Sequence, residues 1–247
     1  MQITRLAPRH GFTLVELAVV LVIIGLLVGG LLGTASIMRN ARLSTMMNES
    51  KYYTNAFIQF QTRYNAPPGD YATASLTWVA DAAGHNGDGN GLIRAGTVAV
   101  PLERYYAFQH LALASFIQGK YTGAGDTGGT GATIGRNVPG SAIDNSAFVF
   151  DHPDALDGVV SGETYYFDGV YGNVLRIAGL NPGATTEPDQ LFLTPKQALQ
   201  VDEKFDDGLP GEGNVMTQKG TATCAPSSTV YVTATESPAC SLIIRMQ

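Results

Sequence analysis

The clearest chemistry in the sequence lies near its N-terminus, where one carboxylate precedes a long apolar segment. Glu16 ends the stretch Gly-Phe-Thr-Leu-Val-Glu (residues 11–16), and no charged residue occurs from Leu17 to Met38. A carboxylate deep in a membrane-spanning helix costs roughly 2.5–3.5 kcal/mol, so it is usually kept for a partner charge. Cleavage between Gly11 and Phe12 would create that partner, the α-amine of Phe12. The residues themselves therefore raise the question of what partner Glu16 is kept for.

A second candidate site is the stretch Gly-His-Asn-Gly-Asp-Gly-Asn-Gly (residues 84–91). Asn86, Asp88 and Asn90 alternate and Gly91 follows, which matches the first half of a calcium-binding loop. The second half does not match, because Thr97 stands where the loop needs a bidentate Glu. Two interpretations stay open: a calcium site, or a turn of Gly, Asn and Asp that needs no ion.

Other chemistries find little support in the composition. The chain has 247 residues and a net charge of −6, which argues against nucleic-acid binding through bulk charge. It contains no G-x-S-x-G, H-E-x-x-H or C-x-x-C motif, so we predict that it is not an enzyme. Asp151, Asp154 and Asp157 are a second candidate for calcium, and the favoured interpretation is that they are solvated loop acids. The two cysteines, Cys224 and Cys240, are either one disulfide or two free thiols.

The apolar segment has the length to position Glu16 at a bilayer surface. Its 22 charge-free residues would span a hydrocarbon core of ~30 Å as a helix. Three interpretations compete: a signal peptide cleaved near Gly33-Thr34-Ala35, an uncleaved anchor, or a segment in which Glu16 has a function. Beyond Met38 an apolar and aromatic stripe, spaced at about 3.5 residues, predicts that the helix continues to Tyr64.

The remaining residues predict a domain that mixes helices and strands. A buried helix is predicted over 103–118 with His110 as a hydrogen-bonded core residue, and a second helix from Thr194 to Gly208. Strands are predicted at 147–150, 164–168 and 173–180, and a hairpin around 236–239. The fold class is therefore α+β, with a long N-terminal helix on a domain with an antiparallel β-sheet.

Gly11-Phe12-Thr13-Leu14-Val15-Glu16 followed by the apolar run resembles the N-terminus of type IV prepilins and type II secretion pseudopilins. The resemblance implies a cytoplasmic leader (1–11) that prepilin peptidase removes after Gly11, with N-methylation of Phe12. It implies that Glu16 pairs with the α-amine of a neighbouring subunit during assembly. It also implies a filament-core or transmembrane helix (12–38), an amphipathic half (39–65) and a periplasmic pilin-like domain (66–247).

The resemblance further implies partners and a location. The partners are prepilin peptidase, other pilin or pseudopilin subunits and an inner-membrane assembly platform, and the location is the bacterial inner membrane and then a filament. A disulfide between Cys224 and Cys240 would suit such a periplasmic domain. The bulk of the chain favours a minor subunit, and a large major subunit stays open as the alternative. The alternative is a secreted or membrane-anchored binding protein with an ordinary signal peptide.

Overall fold

The computed structural model describes residues 11–79, 85–94, 102–125, 131–153, 166–180, 188–218 and 223–246, with only the backbone of residues 30–35 described. Four helices and four strands lie in these ranges. The helices are α1 (Leu14–Tyr64), α2 (Ala74–Thr77), α3 (Glu103–Leu113) and α4 (Pro195–Phe205). The strands are β1 (Ser146–Asp151), β2 (Val174–Gly179), β3 (Val215–Thr217) and β4 (Leu242–Arg245). The chain divides into two compact units, Met1–Arg42 and Leu43–Gln247.

The predicted end of α1 is confirmed. The helix stops at Tyr64, Asn65 turns into the left-handed region with φ 51°, and Pro67 and Pro68 follow. Proline cannot continue a helix because it lacks the amide proton and its ring clashes with the preceding turn. A new segment of chain therefore begins here and leads to α2.

The predicted stripe on the second half of α1 forms part of the core of the larger unit. Phe57 lies 5.2 Å from Phe150 and Tyr53 lies 4.9 Å from Phe148, both measured between ring centroids. On α3, Phe108 lies 4.9 Å from Phe150. These contacts place both helices against β1. Burial of each such side chain contributes about 1.5–3 kcal/mol.

The sheet is fully antiparallel, with the strand order β1-β2-β4-β3. Residues on one face, among them Phe148, Leu175 and Ile244, belong to the main core. Alternate residues on the other face form a smaller cluster that includes Val174 and Ile243. Because both faces are covered, the strand residues are buried apart from the half-buried Arg245. The α+β class is confirmed.

Several predicted element bounds are wrong. Helix α3 ends at Leu113 rather than near Gly119, because Ser115 adopts a positive φ of 61°. The hairpin around residues 236–239 does not form: β4 pairs with β2 and with the unpredicted strand β3. Residues 166–168 contain no strand, and residues 164 and 165 lie outside the described ranges. Helix α4 does begin at the predicted capping box of Thr194 and Gln197, but it ends at Phe205.

The prediction of solvated loop acids is wrong for Asp151, which ends β1 in the interior. Its Oδ1 lies 2.8 Å from Nη2 of Arg104, and its Oδ2 lies 2.7 Å from Nη1 of Arg176. Burial alone would raise the pKa of Asp151, but the two guanidinium groups outweigh burial and lower that pKa below its ordinary value. Asp151 is therefore a buried counter-ion. Asp154 and Asp157 lie outside the described residues.

The two cysteines form a disulfide. The Cα atoms of Cys224 and Cys240 lie 5.3 Å apart, and both side chains are buried. The bond closes a loop with a sequence separation of 16. Tyr231 lies in this loop, and its hydroxyl donates a hydrogen bond to Asp202 of α4 at 2.7 Å. The disulfide thus fastens the C-terminal loop beside β4.

Candidate functional site

Glu16 and Thr13 together cap the N-terminus of α1. The Thr13 amide and hydroxyl each donate to Oε2 of Glu16 at 2.8 Å, and the Glu16 amide donates to the Thr13 hydroxyl at 3.2 Å. This reciprocal pattern is a capping box, in which two helix-terminal amides that lack intrahelical partners are satisfied. Glu16 therefore has a local partner within its own chain.

The bond predicted to be cleaved lies just before this cap. Gly11 and Phe12 precede the helix, and Phe12 is 83% exposed. A Cβ added at Gly11 would meet nothing within 4 Å. The described chain therefore leaves the Gly11–Phe12 peptide bond accessible. The rest of the predicted leader, including Arg5 and Arg9, lies outside the described residues.

The first turns of α1 expose apolar side chains around the whole helix. Thirteen large apolar residues between Phe12 and Val28 are exposed, by 48% or more. A helix that is apolar on every side normally lies inside a larger protein core or a membrane. The described part of the smaller unit supplies no such core.

The prediction of a membrane-spanning segment over residues 12–38 gains no support from the structure. Among the helices of the described residues, none is both long enough and apolar enough to cross a membrane. Gly33, Thr34 and Ala35, the alternative cleavage site, lie within α1.

The three predicted calcium ligands, Asn86, Asp88 and Asn90, all make contacts within turns of the described chain. Asn86 turns to Ser75, accepting from its amide at 2.8 Å and donating to its hydroxyl at 3.0 Å. Asn90 donates through its side-chain amide to Asp88 at 2.8 Å, and its Oδ1 accepts the Leu92 amide. Asn86 and Asn90 therefore act as turn residues here. Thr97 lies outside the described residues.

Asp88 instead joins two carboxylates that the sequence analysis did not select. One oxygen each from Asp70, Asp88 and Glu103 lies within 4.8 Å of the other two. Asp70 and Glu103 are 1% exposed, whereas Asp88 is exposed. Oxygen donors of this kind are those that calcium and magnesium prefer. Asp202, Asp206 and Asp207 form a second group of this kind.

Backbone amides hold the two buried carboxylates in place. Asp70 accepts the amides of Gly89 at 2.6 Å, Asn90 at 3.1 Å and Gly91 at 2.6 Å. Glu103 accepts the amides of Asp88 at 3.0 Å and Arg94 at 3.1 Å. The loop 85–94 therefore wraps around both side chains.

Burial sets the acidity of these groups. It raises the pKa of Asp70 above its ordinary value, against the opposing amide hydrogen bonds. It raises the pKa of Glu103 to about 7, and the nearby charges of Asp88 and Asp70 add to the effect. Carboxylates at this spacing do not all ionise readily, because like charges repel.

His110 is a hydrogen-bonded core residue, as predicted. Its side chain is fully buried among aromatic rings, and Phe60 stacks on it with a centroid distance of 6.1 Å. Nδ1 lies 2.9 Å from the Gly69 amide, and Nε2 lies 3.0 Å from the His85 carbonyl oxygen. Burial lowers the pKa of His110 to about 4.

Some of the residues missed by sequence reasoning have a recognisable local sequence pattern, and others do not. Thr13 was visible, because Thr-Leu-Val-Glu before an apolar run is the sequence pattern of a capping box. Asp70 and Glu103 carried no local signal, since they meet Asp88 only through tertiary contacts.

Comparison with protein-family models matches residues 6–32 to the prokaryotic N-terminal methylation motif. No curated protein matches the chain, and no solved structure matches it. The pilin-like resemblance of the larger unit therefore stays a prediction. The motif implies processing by a prepilin peptidase and assembly with other pilin subunits. Residues 6–32 thus carry the N-terminal signature of type IV prepilins and pseudopilins.

Proposed function

We propose that this chain is a structural subunit of a type IV pilus or a type II secretion pseudopilus, and a minor subunit rather than the major one. In this proposal the peptidase cuts between Gly11 and Phe12, and Phe12 is N-methylated. The N-terminal segment holds the subunit in the inner membrane through its apolar side chains, and the same segment then packs in the filament core. The work of the subunit is mechanical and adhesive rather than catalytic.

One observation carries the proposal: an apolar surface surrounds the start of α1, and one carboxylate stands at its beginning. Full burial of an exposed large apolar side chain, in lipid or in a bundle of neighbouring helices, gains about 1.5–3 kcal/mol. Thirteen such side chains here are 48–89% exposed, so each would gain a corresponding fraction of that amount. In the free chain Glu16 binds the Thr13 amide and hydroxyl. After cleavage, the α-amine of a neighbouring subunit offers it an opposite charge in a site from which water is excluded.

The capping box makes a sharp test of this charge possible. Glu16→Gln keeps a side-chain oxygen that accepts the Thr13 hydrogen bonds, since Gln also fits a capping box. It removes only the negative charge. Thr13→Ala is the matched variant: it removes the cap, at a cost of ~1 kcal/mol, and keeps the charge.

The first measurement is the amount of each variant in a sheared-filament fraction. The second is the intact mass of each variant, which shows whether the leader has been removed. We expect Glu16→Gln and Glu16→Ala to be cleaved but absent from filaments, and Thr13→Ala to be incorporated. Normal incorporation of Glu16→Gln would contradict the proposed role of the charge. Loss of Thr13→Ala together with normal Glu16→Gln would show that helix capping is what assembly needs.

A further inference from the structure

His110 joins two segments of chain that otherwise have no regular structure. The turn 66–70 follows α1, and the loop 85–94 approaches α3. Nδ1 of His110 contacts the Gly69 amide in the turn, and Nε2 contacts the His85 carbonyl in the loop. We call this pair of contacts the His110 bridge.

The partners of the two ring nitrogens fix a single protonation state. The Gly69 amide is a donor, so Nδ1 must accept and carries no proton. The His85 carbonyl is an acceptor, so Nε2 must donate and carries the proton. Only the neutral imidazole has one donor and one acceptor, because the imidazolium donates from both nitrogens. A second proton would place the N–H of Nδ1 against the N–H of Gly69.

The surrounding structure is packed too closely to absorb that change in place. Gly69 has a φ of 95°, and a Cβ there would collide with the Glu103 backbone carbonyl. A Cβ at Gly87 would likewise collide with the backbone of Asp70. The turn, the loop and α3 therefore meet backbone to backbone. Rotation of the Gly69 amide away from a protonated ring requires the turn to move.

Among the described residues, no carboxylate is hydrogen-bonded to the His110 ring. Phe60 of α1 and Trp78 after α2 present uncharged rings. The turn carries Asp70, and Tyr71 follows it. The loop carries His85, Asp88 and Arg94, and α3 carries Glu103, Arg104, Tyr105 and Tyr106. The His85 ring opposes protonation of His110 by charge repulsion. Glu103, with a pKa of about 7, is already neutral in the range where His110 takes up a proton.

We propose that the His110 bridge is an acid-sensitive latch, and that protonation of Nδ1 detaches the turn 66–70 and the loop 85–94 from α3. The remainder of the larger unit keeps its core, because α1, α3 and the sheet contact one another through the aromatic residues around Phe150. The proposal concerns a surface of the larger unit and does not depend on filament assembly.

The size of the response follows from linkage. The pKa of His110 is about 4 in the closed form, against the ordinary value of 6.5 that an exposed ring has. The population of the open form therefore rises about tenfold for each pH unit below 6.5, until pH 4 is reached. Between about pH 6.5 and about pH 4.5 the population rises roughly 40-fold, because the exposed ring is already half protonated at the upper end of this range.

The test is hydrogen exchange of the Gly69 amide in the full chain in detergent micelles, with each rate divided by its intrinsic rate at the same pH. We expect protection of this amide to fall roughly 40-fold across that range, while the amides of β2 stay protected. His110→Asn keeps an acceptor at the place of Nδ1 and does not titrate, so its protection should stay constant. His152→Asn is the matched control, because His152 contacts Asn173 instead, and it should retain the full response.

Constant protection in the wild type, or an undiminished response in His110→Asn, would overturn the proposal. If His110→Asn does not fold, nitrogen NMR of the wild-type imidazole gives the decision. We expect the neutral Nε2–H tautomer at about pH 7, and its protonation should coincide with the release of Gly69. A charged His110 ring, or the Nδ1–H tautomer, at that pH would refute the proposed latch.

Discussion

The substitution Asp151→Asn tests whether the buried ion pairs hold the larger unit together. Asp151 stands between Arg104 and Arg176 at 2.8 and 2.7 Å, and the three side chains are exposed by 9%, 3% and 7%. Asparagine has nearly the same shape but no charge, so two buried guanidinium groups lose their counter-ion. Removal of one partner from a buried ion pair costs about 3–5 kcal/mol.

Urea unfolding of the full chain in detergent micelles, followed by fluorescence, measures this cost. Trp78 is the single tryptophan of the chain and lies within the aromatic cluster of the larger unit. With a urea dependence of about 2 kcal/mol per molar, a loss of ~4 kcal/mol lowers the unfolding midpoint by about 2 M. Glu236→Gln is the control, because Glu236 is exposed and its replacement should change stability by less than about 0.5 kcal/mol.

The pH dependence of the difference identifies its cause. The folded chain lowers the pKa of Asp151, so the stability that this carboxylate contributes is present above its unfolded pKa and is lost as pH falls through the folded pKa. The gap between wild type and Asp151→Asn should therefore narrow in strong acid. A gap that is below about 1 kcal/mol at neutral pH, or that does not narrow in acid, would refute the reasoning.

Three further predictions concern the same unit. Replacing Cys224 and Cys240 together by Ser should lower the free energy of unfolding by roughly 3 kcal/mol, since the disulfide closes a loop of about this length; an unchanged urea midpoint would contradict this. Gly69→Ala should cost at least about 1 kcal/mol more than Gly91→Ala, because both have positive φ but only the Cβ at position 69 meets a backbone carbonyl; equal midpoints would count against it. Burial raises the Glu103 pKa to about 7, so stability from this group is full below its ordinary value of 4.5 and is lost as pH rises through 7. Wild type should accordingly lose stability relative to Glu103→Gln between about pH 4.5 and about pH 7, and a parallel pH dependence of the two proteins would exclude this role.

The features that sequence analysis predicted well depend on neighbours along the chain. The end of α1 follows from Pro67 and Pro68, and the start of α4 follows from the Thr194 capping box. The stripe along the second half of α1 could be read because helical periodicity alone decides which side chains share a face. Its burial against β1 confirmed the interpretation.

The errors concern residues whose surroundings come from distant parts of the chain. No residue next to Asp151 in the sequence indicates that Arg104 and Arg176 will enclose it. The composition of the surrounding segment therefore favoured a solvated loop. β4 pairs with β2 and β3 rather than with the adjacent residues, because strand partners are set by the sheet as a whole. The calcium interpretation was limited in the same way. Asp88 does lie among carboxylates, but its neighbours are Asp70 and Glu103, which come from other parts of the chain. Calcium binding itself stays a prediction.

The most direct test of the account is the N-terminus of the mature protein. It is read by intact mass and N-terminal peptide sequencing of the chain from a native membrane or sheared-filament fraction. We predict a chain that begins at Phe12 and carries one extra methyl group. A chain that begins near Ser36 would contradict the account, because the segment that holds Glu16 and the exposed apolar residues would then be absent from the mature protein.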